Sequence, residues 1–156
     1  MLTTDQKGTV AETAIVLAAA KLGVEVYRPI REGGRYDMIF DVAGRLLRIQ
    51  CKYAPLKNDV VLIRCRRARR TADGLLQRGY TADEIDAFAA YCSELDRSFF
   101  LPMEHCRGRL AIQLRVSPPR NNQAVGIEWA DDFDFAATLR RFGAVAQLGE
   151  RLAGSQ

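Results

Sequence analysis

Asp37 is followed by the tripeptide Gln50-Cys51-Lys52 and preceded by a carboxylate, Glu12, that interrupts a largely apolar run over residues 10–20. A carboxylate in such a run is unfavourable unless it has a partner. Two acids, an amide and an amine suit phosphodiester hydrolysis. That reaction needs hard oxygen ligands for a divalent cation, a group that orients or deprotonates water, and positive charge near the developing phosphorane. Asp37, Glu12, the side-chain oxygen of Gln50 and the backbone carbonyl of Cys51 can supply the first; Lys52 can supply the rest. The same residues also have plain structural uses, with Asp37 capping a turn, Lys52 snorkelling at a strand end and Glu12 pairing with an arginine.

Positioning these groups falls to a helix and a hairpin. Thr3 with Gln6 three residues on reads as a helix start, good helix formers follow to Lys21, and Gly23 ends the helix. A β-rich run over 24–30 closes in the turn Glu32-Gly33-Gly34. A second strand over 36–42, the tight turn Ala43-Gly44-Arg45 and a third strand over 46–52 then form a hairpin. Strand side chains alternate faces, so Leu47, Ile49 and Cys51 point into a core while Arg48, Gln50 and Lys52 share a polar face. In a simple register Asp37 falls beside Gln50 and Lys52. Further on the pattern predicts a strand over 59–65. A helix follows over 81–95, capped by Thr81 with Glu84, with Ile85, Phe88, Ala89 and Cys92 on one apolar face. Strands over 98–103 and 110–116, a polar turn over 118–123, a short segment over 125–129 and a helix over 131–142 complete the chain. The order predicts an α/β (α+β) domain with a mixed sheet and no linker to divide it.

The net charge of +4 is unevenly spread. Residues 28–70 hold twelve Arg or Lys against four Asp or Glu, a local charge of +8, and the remainder carries −4. The basic part is sharpest at Arg64, Arg66, Arg67, Arg69 and Arg70, whose guanidiniums can fork onto phosphate oxygens. Solubility does not require one sign gathered in one stretch, so a polyanion, nucleic acid above all, is the expected partner. These arginines do not flank an apolar helix face, which disfavours an acidic membrane surface.

A chain of 156 residues, 48% hydrophobic and 27% charged, suits one soluble globular domain and excludes disordered, collagen-like and disulfide-scaffold classes. No stretch approaches the roughly 20 apolar residues of a membrane span, and the N-terminus lacks a basic signal-peptide head, so a cytoplasmic location without membrane association is expected. Cys51, Cys65, Cys92 and Cys106 form no CxxC pair, and reduced, buried thiols are the expected state.

Asp37, then Gln50-Cys51-Lys52 on a strand, with Gly8-x-x-x-Glu12 on the first helix, resembles the PD-(D/E)XK nuclease superfamily. The downstream runs Asp83-Glu84-Ile85-Asp86-x-Phe88-Ala89-x-Tyr91, Phe99-Phe100-Leu101-Pro102, Leu110-x-Ile112-x-Leu114-Arg115 and Asn121-Asn122-Gln123-x-x-x-Ile127-x-Trp129-Ala130 extend it. Together they resemble the homing-type PD-(D/E)XK endonucleases associated with group I introns, over about residues 5–135. Two positions depart: Tyr36 stands where the family name has proline, and Gln50 stands at the acidic position, removing one negative charge from the site.

The resemblance implies a restriction-endonuclease-like fold, a mixed central sheet flanked by helices, over residues 1–142 with a tail over 143–156. It implies Mg²⁺ held by Asp37, Glu12, Gln50 and Cys51, with Lys52 orienting the attacking water, and products with a 5′-phosphate and a 3′-hydroxyl. One active centre facing two strands implies a homodimer or a dimer of dimers on double-stranded DNA. The arginine cluster would then follow phosphates, while Arg120, Asn121, Asn122 and Gln123 would offer side chains to guanine and adenine edges; plain turn chemistry is the competing use of that loop. Residues 145–151 back-translate into something like the D-arm of a tRNA gene, making such a gene a candidate target. A structure-selective, Holliday-junction-resolvase-like nuclease, a catalytically silent DNA-binding module (on account of Gln50) and an RNA-binding protein are the alternatives.

Overall fold

In the computed structural model the described residues are 1–123 and 125–154, with the side chains of 68–70 and 145–154 outside the description. Arg69, Arg70 and the 145–151 segment therefore lie outside the described side chains. Helix α1 (Thr4–Lys21) opens with the expected capping box: the Thr3 hydroxyl accepts from Gln6 N and the Gln6 side chain accepts from Thr3 N. Five strands form the central sheet in the order β1 (Glu25–Tyr27), β2 (Met38–Val42), β3 (Arg45–Tyr53), β8 (Ala87–Cys92), β9 (Arg97–Pro102). All neighbours are antiparallel except β3 and β8, which run parallel with Gln50 opposite Phe88 and Lys52 opposite Ala90.

The β2–β3 turn is tighter than predicted. Ala43 and Gly44 alone form it, both at positive φ (54° and 84°), the hand that matches strand twist, and Asp41 Oδ1 accepts from Gly44 N. Met38 then pairs with Ile49 and Phe40 with Leu47, which carries Asp37 to the level of Gln50.

The predicted helix over 81–95 is a correction. Thr81 and Glu84 make a single turn, with Glu84 N and Ile85 N both donating to Thr81 O, and the chain then enters β8. Ala87–Cys92 is apolar on both faces, so its buried positions match a helical stripe as well as a strand covered on two sides. Ala87 and Ala89 face the helices, while Phe88, Ala90 and Cys92 face the other core.

A second sheet has the order β11 (Glu128–Trp129), β10 (Ala111–Arg115), β5 (Val60–Arg64), β4 (Leu56–Lys57). Its inner residues Val61, Ile63, Ile112 and Leu114 pack with Phe88, Phe99 and Leu101. On the opposite face, Ile15 and Ala19 of α1 and Phe135 and Leu139 of α3 (Phe135–Gly154) cover Phe40, Leu47, Ile49 and Phe100. Each such large aliphatic or aromatic burial contributes about 1.5–3 kcal/mol. The mixed central sheet thus lies between two helices and a second sheet, with the short α2 (Met103–Cys106) and a 3-10 turn (Ala130–Phe133) at its end. Helix α3 continues beyond Phe142, where the sequence pattern ends it. The stretch between Cys65 and Thr81, to which the sequence pattern assigns no element, is a hairpin of β6 (Arg66–Thr71) and β7 (Gly74–Gly79). No described helix is long and apolar enough to cross a membrane.

Candidate active site

Asp37 is clasped to β3 on both sides of Gln50. Its backbone N–H donates to Ile49 O at 2.8 Å, and its carboxylate Oδ2 accepts from Cys51 N at 2.8 Å. Glu12 approaches from α1, one helical turn after Gly8, and Asp5, Gly8, Glu12, Asp37, Gln50 and Cys51 line one open cleft of about 300 Å³. Of the sequence-predicted metal ligands, Glu12, Asp37, Gln50 and Cys51 therefore meet at one place.

The electrostatics of the cleft are unfavourable to its own acids. Burial, and then the facing Asp37 carboxylate, push the Glu12 carboxyl above its ordinary value. Burial likewise raises Asp37, against the Cys51 hydrogen bond and the Lys52 charge, which pull it down. Gln50 carries a buried Oε1 with no hydrogen-bond partner. Such an orphaned acceptor costs about 1–3 kcal/mol. Two desolvated carboxylates beside an unused carboxamide oxygen and a backbone carbonyl are a donor set suited to a hard divalent cation. Among the described residues no three His, Cys, Asp or Glu side chains gather to hold a metal, so a cation in this cleft would need oxygens from Gln50 and Cys51 beside the two acids.

Lys52 lies on the face that strand alternation predicts, but that face is not open to solvent at this point. Its Nζ donates to Arg66 O at 3.2 Å and lies over the Tyr80 ring at 5.2 Å and the Phe88 ring at 6.0 Å. Burial lowers its proton affinity, while its charge and that of Asp37 act favourably on each other. The expected solvent face is covered at Lys52 because Arg66 at the start of β6 and Tyr80 just after β7 lie over it, while Phe88 flanks it from the neighbouring strand β8. Arg48, the third residue of that face, is diverted to Asp86, whose Oδ2 accepts from Arg48 N at 2.7 Å and Arg48 Nε at 3.1 Å.

The arginine run divides. Arg64 ends β5 and is exposed, buried Cys65 follows, and Arg66 and Arg67 begin β6. Arg67 is engaged within the fold, donating to Tyr80 Oη at 3.3 Å and to Gly34 O. In the exposed 120–123 turn, Asn121 Oδ1 accepts from Gln123 N, Gln123 Nε2 donates to Val125 O, and Asn122 has φ 55°. Asn121 and Gln123 thus serve the turn itself, while Arg120 and Asn122 stand exposed on it. All four cysteines are buried.

Sequence reasoning assigned Arg67 to DNA phosphates, whereas it is tied to Tyr80 and Gly34, and it missed Tyr80 and the Arg48–Asp86 pair as groups around the site. The Asp73-Gly74 dipeptide between two polar strands was the available sign of the hairpin that brings Tyr80 and Arg67 in.

A family model described as PD-(D/E)XK endonuclease matches residues 2–136. No curated protein matches the chain. Among solved structures, the bacterial homing endonuclease I-Ssp6803I is similar in fold, with a TM-score of 0.76 and 24% identity over 94% of this chain and 98% of that one. The family match takes in α1, the β2–β3 hairpin and every residue of the cleft, and the chain belongs to the PD-(D/E)XK endonucleases.

Proposed function

We propose that the protein is a Mg²⁺-dependent, site-specific DNA endonuclease of homing type that cuts both strands of a duplex. The observation that carries this reading is the Asp37 carboxylate, held by Cys51 N at 2.8 Å beside the unpartnered Oε1 of Gln50 and across a cleft from Glu12. Similarity in fold to a bacterial homing endonuclease supports it. Asp37, Glu12, Gln50 and the Cys51 carbonyl would hold the cation, which when bound supplies Lewis acidity and charge neutralisation at the scissile phosphate. Lys52 orients the attacking water and offsets charge as the phosphorane forms. The water oxygen bonds to phosphorus, the P–O3′ bond breaks, and the proton lost by water reaches O3′ through solvent, leaving a 5′-phosphate and a 3′-hydroxyl.

Exposed Arg64 and the β6 arginines Arg66, Arg69 and Arg70 track phosphates in this reading, and Arg120 and Asn122 face base edges. Arg67, Asn121 and Gln123 act first within the fold. One centre per chain requires a homodimer or a dimer of dimers for a double-strand cut. The enzyme is proposed to act in the cytoplasm on a tRNA gene, the class of target that residues 145–151 suggest.

The test is cleavage of a library of tRNA-gene fragments with and without Mg²⁺, comparing wild type with Lys52→Ala. Mg²⁺-dependent cutting at one site, lost in Lys52→Ala, is expected. Equal cutting by both proteins overturns the active-site assignment. Binding without cleavage marks a silent DNA-binding protein, and cutting of four-way junctions regardless of sequence marks a structure-selective nuclease.

A further inference from the structure

A lysine is a poor fixed point. Its ammonium ends a chain of four rotatable bonds, so a lysine that must meet a phosphate or a water at one place needs to be held there. Among the described residues the Lys52 ammonium makes one hydrogen bond, to Arg66 O at 3.2 Å. Beyond the charge of Asp37, which acts favourably on it, the ammonium is flanked by aromatic rings: the Tyr80 ring lies beneath Nζ at 5.2 Å, and Phe88 lies beyond it at 6.0 Å.

We propose that Tyr80 is the positioning residue of Lys52, its ring face and the Arg66 carbonyl together fixing where the ammonium sits. The attraction of a cation to the face of an aromatic ring is strengthened where water is excluded, and Tyr80 is buried. The ring is itself clamped. It meets Phe88 edge to face, with centroids 5.2 Å apart and planes at 89°. Its hydroxyl accepts from Arg67 Nε at 3.3 Å, and the Arg67 guanidinium lies over the same ring at 5.5 Å while also donating to Gly34 O. Because the hydroxyl is given to Arg67, the ring holds Lys52 without using up an N–H of the ammonium. Arg66 and Arg67 belong to β6, and Tyr80 directly follows β7. The hairpin that carries the basic run is therefore also what holds the lysine.

This inference rests on Lys52 acting at the phosphate, and the experiment separates the two. The chain has four lysines, Lys7, Lys21, Lys52 and Lys57. In metal-free protein with ¹³C-labelled lysine, the Lys52 ε-methylene protons, assigned by their loss in Lys52→Ala, are expected upfield of those of Lys21 and Lys57, because they lie in the shielding cone of Tyr80. Tyr80→Met, which keeps apolar volume without a ring face, returns them to the exposed position and lowers the turnover number on the order of 10²-fold, with DNA affinity within about twofold of wild type. Tyr80→Phe keeps the ring and recovers both the upfield shift and most of the rate. Unshifted Lys52 protons in the wild-type protein overturn the proposal even if Tyr80→Met does not fold, and so does wild-type turnover by a folded Tyr80→Met. Lys52→Ala cutting at the wild-type rate removes the catalytic reading of the lysine instead, while the upfield shift still decides its placement.

Discussion

Asp37 and Cys51 are joined across the β2–β3 hairpin by a hydrogen bond of 2.8 Å from the backbone N–H of Cys51 to the Asp37 carboxylate. One oxygen of the carboxylate is thereby committed to holding the hairpin while the group as a whole lines the cleft. A charge-assisted bond of this kind is roughly twice as strong as a neutral one. It also explains how a half-buried acid with a raised proton affinity keeps its place.

Asp37→Asn separates the two duties. The amide oxygen can still accept from Cys51, so the melting temperature of metal-free protein is expected to change little. The Mg²⁺-dependent nicking rate on plasmid is expected to fall by roughly 10²-fold or more. A variant that nicks as fast as wild type would show that the carboxylate does no more than brace the strand.

Glu12 and Gln50 make the cleft costly without a cation. The Glu12 carboxyl has its proton affinity raised by burial and by Asp37, so at neutral pH the ionised group weakens the fold. Glu12→Gln is therefore expected to raise the metal-free melting temperature at pH 7 by about 1–3 °C. The gain shrinks as pH falls through the raised folded-state value and is gone by about pH 3, below the unfolded value of about 4.3, where glutamate is protonated in both folded and unfolded chains. Gln50→Glu adds a third acid and is expected to act oppositely, lowering the melting temperature in chelator and enlarging the rise on adding Mg²⁺. Thermal melts in chelator and in Mg²⁺ check both, and a Gln50→Glu protein indifferent to Mg²⁺ speaks against the donor set.

Arg48 and Asp86 tie β3 to the entry of β8, with side chains 32% and 25% exposed. Burial alone would raise the Asp86 carboxyl, but hydrogen bonds from the Arg48 side chain and backbone outweigh it and hold it below its ordinary value. A depressed carboxyl stabilises the fold fully above the unfolded value, near pH 4, and loses that contribution as pH falls through the folded value. Asp86→Ala is expected to cost about 1–3 kcal/mol in urea unfolding at pH 7. The gap to wild type should narrow below about pH 4; a gap that widens on acidification contradicts the pairing.

Arg64 stands exposed at the end of β5, while Arg67 is tied to Tyr80 and Gly34. Arg64→Ala is expected to weaken DNA binding evenly across sequences and to reduce the salt slope of the affinity by about one. Arg67→Ala is expected to slow cleavage more than it changes that slope. Filter-binding measurements over a range of salt decide between phosphate contact and brace for each arginine.

Much of this molecule is written locally. Thr3 with Gln6 starts α1, Ala43-Gly44 closes the hairpin, and alternation along Leu47, Ile49 and Cys51 assigns their face. The hairpin facts suffice to bring Asp37 level with Gln50, because they depend on residues a few positions apart; Glu12 joins them only because Ile15 and Ala19 pack α1 on the sheet. Two further matters were settled only in three dimensions. Ala87–Cys92 is apolar throughout, and its partner in the sheet is β3, far back in the chain, so periodicity could not tell a helix from a strand buried on both faces. Lys52 follows the alternation that should have sent it into water, yet Tyr80, Phe88 and the Arg66 carbonyl cover it. Alternation records which way a side chain points; what waits there is decided by elements that arrive from elsewhere in the chain.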